Sequence, residues 1–169
     1  PQPPCGRRGP VADGPPKLGD GPLRFLAALH GFTRDEMFEA RRVLEVGTAG
    51  LAAERATHEH IALIADEVTS MFATLDDPQA FLVHDLQFHR VVAAGSGNPV
   101  LGTLIDTLAE LVFEYRRVTV QRARDLRESA ELHRRIYMAI RDRNPDEARR
   151  LMGEHLAAAR QAQAAEEEP

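Results

Sequence analysis

The sequence predicts an all-α protein, folded as an antiparallel bundle of six to seven helices. Alanine accounts for 25 of the 169 residues, while aromatic residues make up 5% and tryptophan is absent. This composition favours helices over a sandwich or barrel of strands. Helix-start signals recur from about residue 33 onward. No segment alternates apolar and polar residues in the manner of a half-buried strand.

Most of the predicted helices begin at a recognisable cap. Thr33 and Glu36 have the spacing of a capping box, and Thr57 stands before the next helix. At 77–78, 98–99 and 144–145 an Asp or Asn precedes a proline. Each pair provides a side-chain acceptor at the N-cap and a proline at the first helical position. The predicted helices lie at about 22–29, 33–56, 58–74, 77–94, 98–121, 125–143 and 145–165.

One helical domain is predicted over residues 22–165, between two ends of different composition. Seven of the eleven prolines lie within the first 22 residues, which indicates a linker over 1–21, and residues 166–169 form an acidic tail. The net charge of −5 does not imply a nucleic-acid surface, and the single Cys5 allows no internal disulfide. With no signal peptide and no apolar run of membrane-spanning length, we expect a cytoplasmic protein without a membrane partner.

Four polar side chains fall within the apolar stripes of three predicted helices. The 77–94 helix contributes Asp85 and His89, and the last two helices contribute His133 and His155. A buried carboxylate or imidazole needs a partner, and one Asp with three His supplies ligand types that divalent transition metals use. The set predicts one divalent ion, Zn, Ni, Mn or Fe, with two further positions open in octahedral geometry. The alternative is a structural network of buried hydrogen bonds among the same residues.

The 33–56 helix places two arginines, Arg41 and Arg55, on its apolar face, and Glu45 borders that face. For Arg55 we expect a buried ion pair with a carboxylate of a neighbouring helix. Arg41 has two interpretations: an ion pair with Glu45, or contact with an anionic ligand that its guanidinium can bind in a bidentate manner. We favour the second and predict that Arg41 binds an effector.

From Asp20 to Ala164 the sequence resembles the FadR-type C-terminal effector domain, called FCD, of GntR-family transcription regulators. The resemblance covers about 85% of the chain, with the motifs in the family's order. These motifs are Phe38–Glu45, Leu51–Thr57, Asp85–His89, Gly97–Pro99, His133–Ile140 and Ala148–Leu156.

The resemblance implies an effector-sensing domain and not an enzyme. It implies metal binding by Asp85, His89, His133 and His155, as in the metal-dependent branch of the family, and a small carboxylate effector. It also implies a homodimer. The family carries an N-terminal winged helix-turn-helix, and residues 6–13 resemble the end of its wing, so we expect DNA binding only through that domain, which this chain lacks.

A second interpretation is an enzyme. The dipeptide His84-Asp85 in an all-helical chain resembles HD-type metal-dependent phosphohydrolases, with His58 or His60 upstream and Asp106 or Asp125 downstream. This interpretation leaves the inward-facing His133 and His155 without a role.

Overall fold

The computed structural model describes residues 31–122 and 126–164, which contain six helices and no strand. The predicted all-α antiparallel bundle is confirmed. The predicted linker 1–21, helix 22–29 and tail 166–169 lie outside the described residues, and the domain limits 22–165 stay a prediction. The helices are α1 (Arg34–Arg55), α2 (His58–Ala73), α3 (Pro78–Gly95), α4 (Pro99–Arg122), α5 (Arg127–Arg141) and α6 (Pro145–Ala164).

The helix starts follow the predicted caps. Thr33 and Glu36 form the capping box of α1, with the Thr33 backbone N–H donating to Glu36 at 2.8 Å. Asp77 accepts hydrogen bonds from two backbone N–H groups at the start of α3. Asn98 and Asn144 accept in the same way at the starts of α4 and α6. These side chains satisfy donors that the first turn of a helix leaves unpaired.

Helix α1 lies at the centre of the bundle and packs against α3, α4, α5 and α6. Small residues allow this: Ala49, Ala52 and Ala53 are fully buried on α1. Arg149 of α6 crosses α1 over Gly50, where a methyl group would overlap its guanidinium, and donates to Glu54 at 3.0 Å. Helix α2 completes the bundle by packing against α3 and α5.

Large apolar side chains fill the space between the helices. Phe81, Phe88, Ile64, Met71 and Ile136 are among those with less than 2% exposure. Their burial supplies the main favourable term for folding, at about 1.5–3 kcal/mol for each side chain. No helix in the described ranges combines the length and the apolar character needed to cross a bilayer.

Helix α5 ends two residues earlier than the sequence predicts because Arg143 adopts a left-handed conformation, with φ of 57°. The Asn144 N–H then donates to the Ala139 carbonyl at 2.9 Å, which closes a Schellman motif. Glycine usually occupies this position. Here the Arg143 guanidinium donates to the carbonyls of Ala53 and Ala56, at 3.3 and 2.6 Å, and so caps the end of α1.

We therefore expect Arg143→Ala and Arg143→Gly to differ in stability. Alanine keeps the left-handed strain and loses the cap, and because the arginine is exposed the loss amounts to only about 1 kcal/mol. Glycine loses the same cap but relieves strain of similar size, so its free energy of unfolding stays near that of the wild type. Urea denaturation measures both variants. Equal destabilisation of the two would contradict the strain, and a wild-type value for Arg143→Ala would contradict the cap.

Candidate metal centre

The structure brings together the four polar residues that the sequence singles out. Asp85 and His89 lie one turn apart on α3, His133 lies on α5 and His155 on α6. One potential ligand atom from each residue lies within 4.8 Å of those of the other three. All four are buried, with exposed fractions of 4% or less. Helix α3 and the two consecutive helices α5 and α6 thus converge on one polar point inside an apolar bundle.

The orientation of His133 is fixed by its own helix. Its Nδ1 lies 2.7 Å from the carbonyl oxygen of Ser129, one turn earlier. A carbonyl can only accept, so we assign the ring hydrogen to Nδ1. In the neutral ring the other nitrogen, Nε2, then presents a lone pair to the cluster.

That lone pair faces another acceptor. His133 Nε2 lies 3.1 Å from Asp85 Oδ1, and neither His133 Nε2 nor His155 Nε2 has a hydrogen-bond partner. Two acceptors at this distance repel each other unless a cation, either a proton or a metal ion, lies between them. The donor set of three imidazoles and a carboxylate therefore fits a divalent transition metal.

The surroundings disfavour protons on the other two histidines. Burial lowers the pKa of His89 to about 4, although the Glu45 carboxylate opposes the shift. Burial, followed by His133 and His89, lowers the pKa of His155 well below its ordinary value. Both rings are therefore neutral at pH 7, which is the form that binds metals.

Two ion pairs border the cluster. Arg116 of α4 pairs with Asp85, and Arg41 pairs with Glu45 one turn along α1. Burial would raise the pKa of the Asp85 carboxyl, but Arg116 and the histidines hold it well below its usual range. Burial and the neighbouring Arg41 lower the pKa of Arg116 to about 10, so it stays a cation at neutral pH.

A cavity of about 170 Å³ adjoins the cluster. Its charged lining consists of Arg41, Asp85, Arg116 and Glu128, and His155 also contributes to the wall. Apolar residues of α4, α5 and α6 form most of the remaining wall. A ligand in this cavity would touch both the cluster and the two buried guanidinium groups.

Comparison with known proteins places the chain in a family. The sequence model of the FCD domain matches residues 36–158. The chain belongs to the FCD domain family. The resemblance to the effector domains of GntR-family regulators is confirmed, and the match covers every residue of the cluster.

Two relatives of known name illustrate the similarity. The HTH-type transcriptional repressor NanR of Klebsiella aerogenes is 36% identical over 134 residues, which cover 78% of this chain and 51% of the repressor. The solved structure of GntR from Streptococcus agalactiae superposes on this chain with a TM-score of 0.63 at 29% identity, over 75% of this chain and 57% of that one. The chain thus spans about half the length of the curated repressor.

A third comparison bears on the fold alone. McbR (YncC) of E. coli superposes with a TM-score of 0.71 at 17% identity, over 79% of this chain and 65% of that one. The two chains therefore share the helical fold although few of their residues are identical.

The prediction for Arg55 is wrong, and that for Arg41 is untested. Arg55 is exposed and donates to the Ser96 carbonyl at 3.3 Å, so it forms no buried pair with a neighbouring carboxylate. Arg55 is the last residue of α1, and at this position the predicted apolar face of the helix is exposed to solvent. Arg41 is buried, lines the cavity and also pairs with Glu45, so its position is compatible with both interpretations.

Sequence reasoning missed Arg116. Ile105, Ala109, Val112 and Arg116 are all buried on one stripe of α4. The place of Arg116 on an apolar stripe of residues 98–121 is the same kind of signal that marks Asp85 on α3.

The structure separates the two residues of the His84-Asp85 dipeptide. His84 Nδ1 lies 2.8 Å from Glu67 of α2, with about a third of its side chain exposed. Asp85 instead lies in the cluster, where it contacts His133 and Arg116. Among the described residues the candidate ligand group contains Asp85 but not His84, so the geometry does not join the pair in one site.

The buried histidines predict acid sensitivity. The pKa of His89 falls from 6.5 to about 4 on folding, so the unfolded chain binds more protons between these values. The metal-free protein should therefore have full stability above pH 6.5 and lose about 3 kcal/mol through His89 alone as the pH falls toward 4. Thermal unfolding as a function of pH measures this loss. His89→Gln should reduce the dependence and leave the part due to His155, whereas exposed His58→Gln should not change it; a flat wild-type profile would contradict the prediction.

Proposed function

We propose that this chain is the metal-dependent effector domain of a GntR-family transcription regulator. In this proposal a small organic acid binds at the metal and controls DNA binding by another part of the protein. The observation that carries it is the convergence of one carboxylate and three imidazoles, with one potential ligand atom of each within 4.8 Å of the others. His133 Nε2 and Asp85 Oδ1 face each other at 3.1 Å, a contact that either a proton on the ring or a metal ion between the two atoms makes favourable.

Four residues would hold the metal: Asp85, His89, His133 and His155. Three imidazoles and one carboxylate suit Zn, Ni, Mn or Fe. A bound divalent ion would supply coordination positions for a ligand carboxylate.

The charges around the cavity support an anionic effector. Among the described side chains, the buried carboxylates of Glu45 and Asp85 balance the buried guanidiniums of Arg41 and Arg116. A divalent ion would therefore leave the loaded site with excess positive charge, which an acid would neutralise. The cavity of about 170 Å³ suits a compact acid of roughly six to ten non-hydrogen atoms, since a cavity of about 150 Å³ accepts benzene.

The proposal includes a homodimer that passes the effector's binding preference to paired DNA-binding domains. Such a coupling requires only about 1–3 kcal/mol between the two sites. A transcription regulator must reach the DNA that it controls, so the proposal includes a cytoplasmic location. The named relatives, which are transcriptional regulators, support a role other than catalysis.

We expect the purified chain to bind one divalent ion per molecule. His133→Ala and His155→Ala should each lower the metal affinity and remove the rise in melting temperature that metal causes, because a ligand of the folded state stabilises it by mass action. Binding should also weaken as the pH falls, since only neutral imidazole binds metals. Elemental analysis and titration with Zn, Ni and Mn measure this.

Exposed His58→Ala is the control and should bind metal as the wild type does. A wild-type chain that takes up none of the three metals would contradict the proposal. It would leave the structural hydrogen-bond network as the explanation of the cluster.

Arg41→Lys tests the effector contact. Lysine keeps the positive charge that Glu45 requires but loses the bidentate fork. The variant should fold and retain metal, while its affinity for the acid should fall by about 1.5–3 kcal/mol. Calorimetric titration of the metal-loaded protein with a panel of di- and hydroxycarboxylic acids compares the two proteins. Equal affinities would assign Arg41 to a structural pair with Glu45.

A further inference from the structure

The two ring nitrogens of His89 face different surroundings. Nε2 faces the cluster, 3.8 Å from Asp85 Oδ1 and 3.5 Å from Arg41 Nη2, which can donate to its lone pair. Nδ1 faces away from the cluster and lies 2.5 Å from Glu45 Oε2. His89 therefore stands between a carboxylate of α1 and the remaining candidate ligands.

His89 Nδ1 and Glu45 Oε2 have only each other. Both atoms are buried, the approach is not aligned as a regular hydrogen bond, and neither atom has another hydrogen-bond partner. A carboxylate accepts and does not donate, so the contact is favourable only when the ring hydrogen is on Nδ1. That tautomer leaves the lone pair of Nε2 directed at the cluster.

The other Glu45 oxygen is also occupied. Oε1 pairs with Arg41, one turn earlier on the same helix. Both residues are at least 95% buried, so the carboxylate is held from one side by a guanidinium and meets His89 on the other. The position of Glu45 is thus determined by α1, while the histidine it contacts belongs to α3.

His133 is held as the same tautomer by a different hydrogen-bond acceptor. Its Nδ1 lies 2.7 Å from the Ser129 carbonyl, an acceptor within its own helix. Histidines that bind metals commonly donate the second ring N–H to a carboxylate or a carbonyl, which fixes the tautomer and raises the basicity of the ligating nitrogen. Glu45 occupies that place for His89.

We propose that Glu45 is a positioning residue for the metal centre, holding His89 as the Nδ1–H tautomer with Nε2 directed at the ion. This inference rests on the proposed metal binding. It assigns to Glu45 a role beyond its ion pair with Arg41, and it makes metal affinity depend on the placement of α1.

Glu45→Gln tests the role through the zinc affinity of the full chain, measured by competition with a chromophoric chelator. Removing a carboxylate behind a metal-binding histidine lowers affinity by about 10–100-fold, and we expect a loss in that range. The absorption bands of the Co²⁺-loaded variant should also shift, because the ligand field changes. Wild-type zinc affinity and an unchanged Co²⁺ spectrum in Glu45→Gln would overturn the inference.

Glu67→Gln is the matched control. Glu67 Oε2 lies 2.8 Å from His84 Nδ1. The substitution therefore also removes a carboxylate that contacts a histidine, but outside the cluster. It should bind zinc as the wild type does. If the wild type itself binds neither Zn²⁺ nor Co²⁺, the proposed metal binding fails, an outcome distinct from equal binding by wild type and Glu45→Gln.

Two further measurements separate positioning from folding. Glu45→Gln leaves Arg41 with an unpaired buried charge, so the double variant Arg41→Met/Glu45→Leu removes both charges together. It should fold and still bind zinc about 10–100-fold more weakly. Nitrogen-15 NMR of the histidine rings in the metal-free wild type should show His89 as the Nδ1–H tautomer. An Nε2–H tautomer there would overturn the inference, whatever the variants do.

Discussion

Two acceptors that face each other in an apolar interior, Asp85 Oδ1 and His133 Nε2, determine what the rest of the centre must provide. At 3.1 Å the two atoms repel each other unless a proton or a metal ion lies between them. Arg116 supplies positive charge to Asp85 from α4. The ion pair of Arg116 with Asp85 does not include the histidine nitrogens. Three imidazoles and one carboxylate are a donor set that suits a divalent cation.

The bundle can hold such a cluster because its helices supply both rigidity and apolar filling. Phe88 lies between the two ligand positions of α3 and packs edge-on against His133, with ring centroids 4.7 Å apart. Fully buried alanines allow α1 to approach its neighbours closely. The polar groups of the cluster therefore cannot turn away toward water, and each must be satisfied where it stands.

Periodicity predicted the bundle and the four clustered residues because both depend on which face of a helix is apolar. It failed for Arg55, since a stripe along the predicted helix 33–56 does not reveal that a residue near its end lies outside the core. Glu45 was predicted to border the face, but it is 4% exposed and paired on both sides. Pairing across helices, as between Glu45 and His89 or Arg116 and Asp85, depends on the packing of helices and is not encoded in the spacing along one of them.

The distribution of the residues over the helices has a mechanical consequence. The candidate ligands lie on α3, α5 and α6, while α1 contributes Arg41 and Glu45, and α4 contributes Arg116. An ion and an acid bound here would touch or brace five of the six described helices, so occupancy would favour one packing of the bundle over another. Helix α1 packs against all four of the other contributing helices and begins at Arg34, the end nearest the N-terminal part of the chain. In the proposed regulator, a change in the packing of α1 would therefore be coupled to occupancy of the centre through the contact between Glu45 and His89.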